Sequence, residues 1–245
     1  SGKELFKIHL KSLKKRIDLR QISSFFLESF QGWGAIFYPK DYVQELQKFV
    51  KKNKSLLIFD EIQSGFYRTG KLFAFEHYDV EPDLVCCGKG ISSSLPLSAV
   101  LGKKEIIDVE PSLNSTHGGN PICCAATLAS LEVLQSNNLI EESNRKGRIL
   151  EEELLKVKNK YPEQIDIHGK GLLYAIHIRN KETGLRDSLL TDKILERSME
   201  KGVMMLRTGL GTLKIGPPLI IPEDALIEGV NTISDAISEC FSEER

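Results

Sequence analysis

A chain of 245 residues that is 41% hydrophobic and 27% charged, with a net charge of -1, has the composition of a globular protein long enough for one large domain, or one large and one small. A charge so near zero gives no reason to expect nucleic acid as a partner. No apolar run approaches the roughly 20 residues that cross a bilayer, so no membrane partner is expected either.

The opening stretch, SGKELFKIHLKSLKKR, has no apolar signal-peptide core and reads as an amphipathic helix with Leu5, Ile8 and Leu13 near one face. Residues 24–30, SFFLESF, predict a buried strand ending near Glu28, and a turn-rich QGWG follows. YPKDYVQELQKFVKKN predicts a helix starting near Pro39 and Asp41. SLLIFDE, DLVCCGK and LPLSAVLGK predict three strands, the first two buried. Strand and helix alternating in this way argue an α/β layer with a largely parallel sheet. NPICCAATLASLEVLQSNN predicts a helix rich in Ala and Leu, and residues 139–160 a second with a charged outer face. The pattern then changes. IDIHGKGLLYAIHIRN predicts paired strands about a Gly turn, LLTDKILERSMEKG a helix ending at Gly202, VMMLRTG and TLKIGPPL short strands, and EDALIEGVNTISDAISECF a closing helix. These shifts place a boundary near residue 160: an α/β layer over 1–160 and a smaller α+β domain over 161–245.

The five cysteines, Cys86, Cys87, Cys123, Cys124 and Cys240, fit neither a zinc spacing nor a disulfide framework. They read as free thiols of a cytoplasmic protein, with no metal site. His77 and His117 read as packing or hydrogen-bonding residues without a metal partner.

The stretch Leu56–Lys71, LLIFDEIQSGFYRTGK, poses a sharper question. An apolar strand ending in Asp60-Glu61 and followed by the spacing G-x-x-x-x-G-K imitates a nucleotide-hydrolysing site. Leu72 stands where the metal-binding hydroxyl should be, and the loop follows the carboxylate strand directly with no strand of its own, so Gly65 and Gly70 read as turn residues instead. The other chemistry-bearing residue is Lys89, in VCCGKGIS. Most lysines here lie in charged surface runs, but this one follows a buried strand between two glycines. Partial desolvation there favours the neutral amine, a nucleophile toward carbonyls; the alternative is a lysine that snorkels out at a strand end.

Three long segments in order, LLIFDEIQSGFYRTG, PDLVCCGKGISSSLPLSAVLG and NSTHGGNPICCAA, with Lys89 29 residues after Asp60, resemble the class III aminotransferases. This family includes the ornithine, acetylornithine and 4-aminobutyrate aminotransferases. The resemblance extends over the chain to LKIGPPL near the C-terminus. It implies fold type I, the aspartate-aminotransferase-like architecture: a large domain with a mainly parallel sheet plus a smaller α+β domain. It implies pyridoxal 5'-phosphate as cofactor, Lys89 as Schiff-base lysine and proton shuttle, and Asp60 paired with the pyridine nitrogen. Gln63 would lie by the phenolic oxygen, Thr116 with its neighbour Ser115 would reach the cofactor phosphate of the other subunit, and Glu61 would make structural hydrogen bonds. A homodimer with a shared site follows, turning over a small-molecule amino donor and an oxo acceptor. An aminomutase or racemase of the same family is the alternative, as is a non-catalytic interaction module.

The chain departs from that pattern twice. The family's first half carries a Gly/Ser-rich phosphate loop and a stacking aromatic, and neither precedes Asp60 here; the missing N-terminal half is therefore an expected partner, in one chain or as a separate piece. The substrate gate also differs. After Glu28 the line reads SFQGWG, with Trp33 in the place of the family's gating glutamate, and Lys214 before Pro217-Pro218 in the place of its arginine. A lysine lacks the bidentate fork, and an indole offers a packing face, so a bulkier or more apolar amine than ornithine is expected, unless Arg207 supplies the charge.

Overall fold

This computed structural model describes residues 1–110 and 115–243. The chain divides into two compact units. Ser1–Phe30, Tyr38–Phe66 and Lys71–Asn137 form the first; Gln31–Phe37, Tyr67–Gly70 and the chain from Asn138 onward form the second. The division does not follow the boundary expected near residue 160, because the long helix before that point carries its apolar stripe into the second unit's core.

The first unit is built on a four-stranded sheet. Helix α1 (Gly2–Lys14) is capped by Ser1, whose hydroxyl accepts from the Glu4 amide. Its buried residues are Gly2 and Phe6, and the Phe6 ring packs edge-on against Tyr42 and Phe49, whereas Leu5 and Ile8 are exposed. The expected face is thus rotated by about one residue, because the aromatic side chain buries more area than either aliphatic one. Strands β1 (Ser24–Glu28), β4 (Leu56–Asp60) and β5 (Leu84–Cys87) run parallel, and β6 (Ala99–Gly102) pairs antiparallel with β5, in the order β1-β4-β5-β6. In the chain, β1 and β4 are separated by the two-stranded ribbon β2 (Phe30–Gln31) with β3 (Ile36–Phe37), and by helix α2 (Lys40–Asn53), which buries Val43, Leu46 and Val50 at helical spacing. After β6 come the short α3 (Lys104–Ile107) and α4 (Pro121–Ser136). Asn120 caps α4 by accepting from the Ile122 amide, with Pro121 at its first position. Most of the apolar surface of α4 is exposed in this chain, including Ile122, Leu128 and Val133. Asn114 of the NSTHGG motif lies outside the described residues.

The second unit holds the larger core. Strands β7 (Ile165–Lys170), β8 (Leu173–Ile178), β9 (Leu206–Thr208) and β10 (Thr212–Ile215) form an antiparallel sheet in the order β7-β8-β10-β9. One face packs on α5 (Leu139–Lys160), α6 (Ser188–Glu200) and α7 (Glu223–Glu243), with Leu150, Leu154, Ile176, Ile194, Leu213 and Ile237 at the centre. All six residues of β8 are buried, which requires cover on both faces.

The β7–β8 turn is where the backbone is tightest. Gly171 has φ +56, and a Cβ there would fall 2.5 Å from the Thr69 carbonyl carbon. The Leu172 amide donates to the Arg68 carbonyl, and the Arg68 guanidinium donates to the carbonyls of Leu172 and Pro217. Gly171→Ala combines an unfavourable left-handed conformation with backbone overlap. The expected cost is about 3 kcal/mol, read by calorimetry as a fall in Tm of roughly 5–12 °C. A change of less than a degree would mean that the turn is free to open.

Candidate active site

The parallel strands bring their carboxyl ends to one edge of the first unit's sheet. Glu28, Asp60 and Cys86 are register partners across β1, β4 and β5. Parallel α/β sheets bind ligands outside this edge. Asp60 is half-buried, and its Oδ1 accepts from the Ile62 amide at 2.9 Å, which aims the carboxylate along the chain leaving the strand. Its negative charge adds to burial in pushing the Cys86 thiol above its usual range. Burial, then the charge of Glu61, pushes Cys87 to about 11.

Lys89 opens a single 3-10 turn, Lys89–Ile91, directly after β5 and Gly88. Its φ of 41 is left-handed, an uncommon conformation for a residue with a side chain. Lys89 is exposed in this chain, so the burial expected at the end of a buried strand is not present here. The turn is backed by α4: Leu131 and Leu134 pack on the cluster of Phe66, Val85, Cys87 and Ile91, and the Ser93 and Ser130 hydroxyls lie 3.1 Å apart. Ser115 and Thr116 are exposed in the turns leading to this same helix, as is His117. Gln63 is half-buried three residues after Asp60, and His77 sits in the short 3-10 turn Ala74–Tyr78. Among the described residues no cluster of metal-ligating side chains occurs.

Glu61, next to Asp60, has a different fate. It is fully buried, and its two oxygens accept from Ser29 Oγ, Ser64 Oγ (2.7 Å), the Ala74 amide (2.9 Å) and the Phe75 amide (2.8 Å). Burial raises its pKa, and the four donors oppose that rise. The adjacent carboxylates therefore separate by alternation along the strand and its exit: one is open at the sheet edge, the other is a structural acceptor. The G-x-x-x-x-G-K segment is a succession of turns with Phe66 at φ 57 and Tyr67 at φ 66, and no helix starts at Lys71, which removes the phosphate-loop geometry.

The gate candidates other than Glu28 lie in the second unit. Lys214 Nζ donates to the Gly32 carbonyl at 3.1 Å. The Trp33 ring lies on Gly209, whose hypothetical Cβ would fall 1.8 Å from Cζ2, yet Trp33 remains 67% exposed. Arg207, the other candidate for a carboxylate-binding charge, is ion-paired with Asp192 at 2.6 Å.

The profile of the family described as aminotransferase class-III matches residues 1–237. The chain belongs to the class-III aminotransferases. The 4-aminobutyrate aminotransferase of Mycobacterium leprae is 32% identical over 232 residues, which cover 93% of this chain and 52% of that protein. The alanine/serine racemase of Pyrococcus horikoshii is 34% identical over 226 residues, 91% of this chain and 48% of the racemase. The crystal structure of a transaminase from the marine bacterium Virgibacillus superposes with a TM-score of 0.90 at 27% identity, covering 100% of this chain and 59% of its own. The chain spans about half the length of the curated relatives it matches. The mostly parallel sheet is that of fold type I, and the family is one of pyridoxal-phosphate enzymes. The residues of this aminotransferase chain fit such a cofactor: a carboxylate ends one parallel strand, and a primary amine follows two residues after the end of its neighbour.

Two groups that hold these residues in place leave little trace in the sequence. The Ser29 and Ser64 hydroxyls of the Glu61 cage carry no signal beyond small polar residues near an apolar strand. His177 had one, a lone polar residue inside the apolar run of β8, since a buried polar side chain is informative where an exposed one is not.

Proposed function

We propose that the complete protein is a pyridoxal-phosphate-dependent transaminase that moves an amino group between an amine or amino acid and a 2-oxo acid or aldehyde, and that this chain supplies its reactive lysine. The observation that carries this reading is the placement of Asp60 at the end of one parallel strand and of Lys89 two residues past the end of its neighbour in a class-III chain. When bound, the cofactor supplies a carbonyl and a ring that withdraws electrons from the substrate carbon. Lys89 would hold the group through that carbonyl, and its amine would serve as general base and acid for the substrate proton. Asp60 would hold the ring nitrogen in its protonated form, and Gln63 would donate toward the phenolic oxygen. Thr116 and Ser115 would present hydroxyls to the phosphate held by a second copy, which would make the working unit a homodimer. Five free cysteines support a cytoplasmic setting, and no helix among the described residues is long and apolar enough to cross a membrane.

The test supplies the complete protein with a 15N-labelled amine and an unlabelled 2-oxo acid. Appearance of label in a new amino acid supports transamination. Inversion of the donor's stereochemistry without transfer would replace it by racemisation, a reading supported by the racemase relative.

Trp33 and Lys214 set the substrate class within this reading. The Lys214 ammonium is engaged by Gly32, and Arg207 by Asp192, so neither offers the carboxylate fork of an arginine. The indole instead offers an apolar wall, which suits a bulky or apolar amine. The double change Trp33→Glu with Lys214→Arg is expected to raise kcat/KM for ornithine-like amines by at least about tenfold, the equivalent of one charge-assisted hydrogen bond. An unchanged value removes these residues from the gate.

A further inference from the structure

The second unit contains an arrangement whose central residue, His177, has no part in the proposed chemistry. The segment Gln31–Phe37 lies across the face of the small sheet opposite the helices. Three side chains from that face hold it: Lys214 Nζ donates to the Gly32 carbonyl at 3.1 Å, His177 Nε2 lies 3.1 Å from the Ala35 carbonyl oxygen, and Lys170 Nζ stands 5.7 Å from the centre of the Phe37 ring. The sheet register explains why these three cooperate. Lys214 pairs with Ala175, Thr212 pairs with His177, and Lys170 pairs with Leu173, so their side chains emerge on one face while Ile176 and Leu213 point into the core. The strap carries Trp33, the only tryptophan of the sequence, and its ring rests on Gly209 just beyond β9.

We propose that His177 is a positioning residue: by donating its Nε2–H to the Ala35 carbonyl it holds the Gln31–Phe37 strap on the small sheet and so sets Trp33 on Gly209. A carbonyl oxygen can only accept, so the contact fixes the tautomer, with the proton on Nε2 and a lone pair on Nδ1. His177 has no exposed surface, and its Nδ1 has no partner among the described residues. Burial, reinforced by Arg186 and by the neighbouring His168 ring 4.7 Å away, drives its pKa down to about 3; Asp166 and the Ala35 contact oppose this more weakly. The imidazole is neutral across the physiological range and cannot switch partners by titration. It is a rigid peg: a planar donor with two side-chain torsions, locked between strand and strap. Gly209 completes the device, since any Cβ at that position would occupy the space of the indole.

The consequence for substrate rests on the gate reading above, but the clamp is testable without it. In the 245-residue chain, the anisotropy decay of tryptophan emission reports on Trp33 alone. Gly209→Ala displaces the ring directly and defines the signal of a released indole. His177→Leu is expected to raise the amplitude of the fast decay component about twofold, toward the Gly209→Ala value. His177→Gln, which retains an amide donor at similar reach, is expected to restore the wild-type decay. A His177→Leu decay equal to wild type, with the sheet intact by circular dichroism, overturns the proposal. Should that variant fail to fold, the 15N shifts of His177 in the unmodified chain decide: protonation at Nε2 is expected, and protonation at Nδ1 overturns it. In the complete enzyme, His177→Leu is expected to raise KM for the amine more than it lowers kcat. A loosened indole with an unchanged KM would leave the clamp standing and remove Trp33 from the gate.

Discussion

Lys89→Ala is expected to lower turnover of the complete enzyme by about 10⁴-fold or more, because in the proposed reaction one side chain would serve as both nucleophile and proton carrier. The structure gives this change little else to disturb. Lys89 is exposed, it begins a single 3-10 turn, and the residues that pin the turn, Ile91, Leu131 and Leu134, are untouched. Its left-handed φ is no easier for alanine, so a small stability cost of about 1 kcal/mol at most is expected from the backbone. The measurement is turnover beside Tm: the first should collapse while the second moves by a few degrees at most. Two controls tie the loss to the amine itself. A small primary amine added in solution should restore a part of the rate, since it can carry the proton through the space left by the side chain. Borohydride treatment of the cofactor-loaded wild type should leave the pyridoxyl mass on the peptide containing Lys89, and none on that peptide in the variant. Retention of more than a tenth of the wild-type rate would mean that another lysine serves.

The second large effect is on stability and comes from the neighbouring carboxylate. Glu61→Leu removes the acceptor of four donors at once. The Ser29 and Ser64 hydroxyls can rotate to other partners, but the Ala74 and Phe75 amides are fixed by the backbone and remain buried without one. An expected loss of about 3–5 kcal/mol follows, measured by denaturant unfolding. Asp60→Asn, one residue away at the open sheet edge, should cost less than about 1 kcal/mol in the same measurement while abolishing most activity. The pH dependence of Glu61 has a defined sign. Burial, the largest influence, raises the folded-state pKa above the ordinary 4.5. The folded state then holds the proton more tightly than the unfolded chain. The associated stability is complete below pH 4.5 and is lost as pH rises through the higher folded value. The stability of wild type relative to Glu61→Gln should therefore fall from pH 4 toward neutrality. A rise would show that the four hydrogen bonds outweigh burial.

Much of the site was legible because its determinants are local. The apolar run of SLLIFDE ends where the strand ends, so Asp60 falls at the sheet edge by simple counting, and the strand of DLVCCGK places Lys89 just beyond its own end. The hydroxyl missing at Leu72 disposed of the phosphate loop, and the turns at 65–70 bear this out in the backbone. Residues 139–160 form a helix with those same limits, since charge and apolar positions there follow the 3.6-residue period closely. Which unit that helix joins was not legible. Its stripe of Leu150, Leu154 and Val157 specifies an apolar partner but not which one. The buried face of α1 was misplaced for a related reason: several apolar rotations of one short helix are nearly equivalent until a neighbour such as Tyr42 selects Phe6.

By itself, the sequence determined the order of strands and helices, the chemical identity of the carboxylate and the amine, and the family motifs, because each depends on periodicity or on residues close in the chain. Only the tertiary structure decided how distant side chains are engaged. Lys214 stands where a substrate-binding charge was expected, yet its ammonium meets the carbonyl of Gly32, 182 residues away. Glu61 and Asp60 are neighbours in the chain, yet one is enclosed by four donors and the other lies at an open edge. A hydrogen bond depends on position within a few tenths of an ångström, and it is the packing of whole sheets and helices that sets such positions.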